Sequence, residues 1–134
     1  MKRELVAEIS RLGGDFSDPV WQWLVLNGPH GSTFTWSQTS KEPPRYVGIE
    51  HLQRIVVERA ETDSSFSERV KIATRKALLS NDVNLLRRAI QVAAVVGDEA
   101  ELQQISALIS HETEEVAADA RASAFYLRKR LTAG

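Results

Sequence analysis

Apolar residues return at helical intervals along most of this chain, and most regularly from Asn81 to Leu131. One predicted helix there carries Leu85, Ala89, Ala93 and Val96, and another carries Val116, Ala120, Ala124 and Leu127. Both sets advance by four, four and three residues, and the second begins 31 residues after the first. That spacing places four apolar side chains on one helix face, which has to be buried against a neighbour. Between them lies a third helix with Leu102, Ile105, Leu108 and Ile109, cut off on each side by turn signals. The pattern is that of stacked helical hairpins.

The preceding chain is less regular. Residues 2–12 predict an amphipathic helix through Leu5, Ile9 and Leu12, ended by Gly13-Gly14. Ser17 is placed to cap a second helix, with Pro19 in its first turn, where a missing N–H costs nothing. That helix has Val20, Trp23, Leu24 and Asn27 on one side and Trp21 and Val25 elsewhere. It is either buried on two sides or offers Trp21 to a partner. From Gly28 to Tyr46 no helical period exists, and Ser32 to Thr39 alternates aromatic and polar residues in a β-prone way until Pro43-Pro44 forbids pairing. A loop over 28–46 follows, of a length more often functional or mobile than inert.

A helix from about Gly48 to Ala60, with Ile49, Leu52 and Val56 inward, is expected to break at Glu61 to Ser64. Ser65-x-x-Glu68 has the form of a capping box opening the next helix, whose core positions are Phe66, Val70, Ala73, Ala77 and Leu78. Gly97 is placed to end the 81–96 helix in a left-handed conformation, and Asp98-x-x-Glu101 is a second capping box. His111 closes that helix and Thr113 caps the last one. Glu114 and Glu115 in its first turn and Arg128, Lys129 and Arg130 in its last complement the helix dipole.

Leu102, Leu108-Ile109, a short turn, then Val116-x3-Ala120-x3-Ala124-x2-Leu127 resemble a HEAT repeat, the two-helix unit of an α-solenoid. Residues 67–96 fit the same plan, so the resemblance spans residues 67–131. Ser80 and Leu86 in one unit, and His111 and Ala117 in the other, stand where HEAT units place the Asp and Arg of an inter-repeat ladder. The expected fold is all-α with about six to seven helices in a single domain over residues 1–134. Residues 1–63 would supply non-standard N-terminal helices and the 28–46 loop, and residues 64–134 the HEAT-like hairpins. An irregular helical bundle is the alternative arrangement.

Composition narrows the chemistry. The 134 residues hold no cysteine, which removes disulfides, thiolate catalysis and Cys-based zinc sites. Seventeen Lys and Arg balance 18 Asp and Glu, so no net field draws the chain to nucleic acid or lipid. No apolar run reaches the length of a signal core or a membrane span, which makes a soluble cytoplasmic protein the expectation. His30, His51 and His111 lack partners at ligand spacing, and the glycine pairs form no phosphate loop. Neither a metal, a cofactor nor enzymatic activity is expected.

Two sets of residues remain as candidate sites. Trp21, Phe34, Trp36 and Tyr46 concentrate aromatic surface near the loop and would suit a protein partner, unless they fold back onto the bundle. Lys71, Arg75, Lys76, Arg87, Arg88, Arg121 and Arg128 would bind phosphate if they shared one face; otherwise they form a solvated surface. A non-catalytic protein-binding module, such as a small inhibitor or immunity-type protein, is the leading expectation, and nucleic-acid binding the alternative.

Overall fold

A computed structural model describes residues 2–26, 58 and 61–133. Six helices are bounded within them: α1 (Lys2–Arg11), α2 (Pro19–Leu26), α3 (Phe66–Ala77), α4 (Val83–Val96), α5 (Glu99–Leu108) and α6 (Glu114–Ala133). No strand occurs among the described residues, and the fold is all-α. Glu58, Glu61 and Thr62 are also helical, so the break expected at Glu61 comes at Asp63. The 28–46 loop lies outside the described residues.

The core is the one the spacing foretold. Leu85, Ala89 and Ala93 of α4 and Val116, Ala120, Ala124 and Leu127 of α6 are at most 2% exposed, and Val96 is half-buried against them. Alanines in mid-face let the two helices approach closely. Phe66, Val70, Ala73, Ala77 and Leu78 turn the matching face of α3 inward. α4 is the hub, packing against α2, α3, α5 and α6.

Polar cross-links fix the helix directions. Between α4 and α6, Arg87 pairs with Asp119 at 2.6 Å, Ser123 Oγ donates to the Ile90 carbonyl at 2.6 Å, and Arg130 donates to the Ala94 and Gly97 carbonyls. The partners climb together, so α4 and α6 run parallel. Between α3 and α5, Lys71 pairs with Asp98 and Arg75 with Glu101, each at 3.0 Å, and Gln104 donates to the Arg75 carbonyl. Those helices climb together too. With α3–α4 and α5–α6 packed on each other across five-residue links, the result is two hairpins stacked in one sense.

Several local expectations change. The Ser65 hydroxyl makes no cap; it donates at 2.7 Å to Asp63, which also accepts the Ser65 N–H at 3.0 Å. Asp63, two residues earlier, competes successfully for that hydroxyl. Asp18, not Ser17, caps α2 by accepting from the Val20 N–H at 2.9 Å, because Ser17 is held by Asp15. The Asp98–Glu101 capping box forms as expected.

Gly97 is extended (φ −73°) rather than left-handed. Glycine is needed there for space: a Cβ would stand 2.7 Å from the Ala93 carbonyl oxygen and 2.9 Å from the Glu101 Cβ. The left-handed residue is Gly13 (φ +85°), and it ends α1 with the paired bonds Gly14 N–H to Ile9 O and Gly13 N–H to Ser10 O.

Candidate functional site

The α1–α2 link folds down beside α3 and leaves a shallow cleft of about 200 Å³. Its floor is apolar, made by Val20, Trp21 and Ala73, all 4% exposed or less. Ile72 stands at its edge, 44% exposed. The periodicity of α3 explains this: Val70, Ala73 and Ala77 define the buried face, and Ile72 falls off it. Gly14 lies directly beneath the Trp21 ring, where a Cβ would come within 2.3 Å of ring carbons. That close approach seats the indole in the floor.

The rim is charged but largely self-neutralised. Arg69 bridges Asp18 and Asp63, each at 2.9 Å. Lys76 Nζ donates to the Gly13 carbonyl at 3.2 Å. Asp15 accepts from the hydroxyl and N–H of Ser17, and these two bonds hold its carboxyl below the usual carboxylate range. An apolar floor inside a balanced polar rim is suited to an apolar side chain with polar neighbours, the local anatomy of a protein interface. Concentrated negative charge finds little there to hold it.

The residues expected to bind a partner are distributed otherwise. Trp21 is 4% exposed, which corrects the expectation that it faces a partner. α2 is buried on both the Val20–Leu24 side and the Trp21 side, because the α1–α2 link returns over the indole. Phe34, Trp36 and Tyr46 lie outside the described residues.

Nor do the basic residues assemble into a stripe. Lys71 and Arg75 are drawn to Asp98 and Glu101, Lys76 to the α1–α2 link, and Arg87 to Asp119. Arg88 and Arg121 are half-buried, while Arg128 is exposed on the last turns of α6. Acids distant in sequence neutralise cations whose own neighbourhood, residues 68–88, holds only Glu68 and Asp82.

Asp15, Asp18 and Ile72 were not singled out by sequence reasoning, and Arg69 stood out there only as one of the basic residues near Lys71. Only Ile72 carried a signal, as a large apolar residue off its helix's buried spacing; Arg69 and Asp18 are 51 positions apart. Among the described residues no group of three or more His, Asp or Glu could hold a metal ion, and no helix is long and apolar enough to cross a membrane. Comparison of the chain with known protein families, with curated proteins and with solved structures finds no match.

Proposed function

We propose that this chain is a non-catalytic, HEAT-like protein-binding module that works in the cytoplasm without a cofactor. It engages its partner over the cleft beside α3. The observation that carries the reading is Ile72, a large aliphatic side chain left 44% exposed at the edge of an apolar floor. Large apolar groups beside a concave, polar-rimmed surface are common anchors of protein interfaces. The two parallel hairpin cross-links support the HEAT-like reading, with Arg87–Asp119, Lys71–Asp98 and Arg75–Glu101 standing in for the absent Asp–Arg ladder. Neutralisation of Lys71, Arg75 and Arg87 counts against the nucleic-acid alternative, because phosphate binding needs uncompensated cations.

Affinity capture from native extract with the intact chain and an Ile72→Asp variant tests this. The substitution is at an exposed position, so the melting temperature should stay within a few degrees of the intact chain. A stoichiometric protein recovered by the intact chain and reduced at least about tenfold by the variant is expected, the loss of one anchor of about 1.4 kcal/mol or more. Equal recovery by both would remove the cleft as the site. Nucleic acid recovered at low salt and released by moderate salt would favour the alternative.

A further inference from the structure

The seam between α4 and α6 is apolar by sequence, yet besides Ser123, which bonds the Ile90 carbonyl, it holds the buried Gln91 and Asp119 and the part-buried Arg87. Gln91 is fully buried, Asp119 is 3% exposed, and the Arg87 side chain is 20% exposed. Arg87 meets Asp119 at 2.6 Å. Gln91, one turn along from Arg87, approaches the same carboxylate closely enough to favour its charged form. Neither amide atom of Gln91, however, completes a hydrogen bond of ordinary geometry. Burial dominates at Asp119 and pushes its carboxyl above the usual range against the pull of Arg87, and nearby Glu115 adds to the rise. A half-satisfied polar cluster of this kind costs stability relative to apolar residues of similar size.

The seam needs such a cost for one reason. On either side of the cluster its side-chain contacts are Ala89, Ala93, Ala120 and Ala124, with Leu and Val at the ends, and its other polar links, from Ser123 and Arg130, go to backbone carbonyls. Alanines repeated every four residues discriminate weakly between alignments one helical turn apart, on this copy or another, and a bond to a backbone carbonyl, such as that from Ser123, can be remade one turn along. An ion pair has one partner only, and a one-turn slip moves it about 5.4 Å, leaving the Asp119 carboxylate buried without its cation.

We propose that Arg87, Gln91 and Asp119 form a register key, which makes α4 accept α6 of its own chain in a single alignment. The key trades stability for exclusion of slipped stacking and of exchange of the α5–α6 hairpin between copies.

The test compares the intact chain with an Arg87→Met/Gln91→Leu/Asp119→Leu variant. Melting temperature, solution mass and the set of backbone amide resonances are read for each. The intact chain should give one species and one set of resonances. The variant should melt several degrees higher while showing a dimer fraction that grows with concentration, or a second set of resonances for α4 and α6. A variant that is single in mass and in resonances overturns the key, however stable it is. Gln91→Leu alone guards against misfolding of the triple variant: it keeps the ion pair, and should melt higher with one set of resonances. A lower melting temperature for Gln91→Leu would mean that the amide is a net stabilising partner, and overturns the proposal as well.

Discussion

Single residues decide where α1 sits. The Glu8 carboxylate accepts from Arg11 at 2.6 Å, from Ser80 Oγ and the Asn81 N–H at 2.7 Å, and from the Asp82 N–H at 3.3 Å. It thereby fastens α1 to the α3–α4 turn. Bonding to Arg11 and then Ser80 brings its pKa from 4.5 down to about 2. Because the folded value lies below the unfolded one, the stabilisation is complete above about pH 4.5 and is lost as pH falls towards 2. Glu8→Gln should therefore lower stability at neutral pH and flatten the fall in melting temperature between those pH values; an unchanged acid limb would show that the turn is held otherwise. Gly14 acts through space rather than charge. Gly14→Ala would drive a methyl into the Trp21 ring, and chemical denaturation should show a loss of about 1–3 kcal/mol. Neither role was legible in the sequence, where Glu8 is an ordinary helix-surface acid and Gly14 half of a helix stop.

At the scale of elements, the α4–α5 link is the point where most of the two hairpins meet. Asp98 and Glu101 cap α5, and they also receive Lys71 and Arg75 from α3, while Arg130 from α6 reaches the Gly97 carbonyl. The Glu101 side chain is fully buried and binds on both oxygens. Glu101→Ala should cost about 1–3 kcal/mol by loss of cap and ion pair together, measured by denaturant unfolding. Lys71→Ala should cost less, because half of its Asp98 partner is already in water. An equal loss in the two variants would show that burial is not what distinguishes them. The Asp98-x-x-Glu101 box was readable, since both partners of a cap lie within four residues. The Ser65-x-x-Glu68 box has the same form and is absent, because Asp63 reaches the Ser65 hydroxyl first. A capping motif states a local option, and its nearest competitor decides whether the option is taken.

For the whole molecule, one contiguous core joins α1 to α6, with Ile9, Leu24, Leu85, Ile90 and Leu127 all but sealed from solvent. Removing a large side chain from its centre should weaken both hairpins at once. Leu127→Ala is expected to cost about 2–5 kcal/mol in a single cooperative transition. Two separate transitions would mean that the hairpins unfold independently. The sequence by itself determined the helices and their inward faces, because 3.6-residue periodicity is local and burial of an apolar stripe follows from it directly. It also determined the 31-residue offset between α4 and α6, which the parallel cross-links 32 to 36 positions apart express in space. Only the tertiary structure decided which charges are spent on one another, where Trp21 goes, and that Ile72 stays in solvent. Those outcomes depend on distances between residues tens of positions apart, and a carboxylate such as Asp119 chooses its cation by proximity in the fold, not by spacing in the chain.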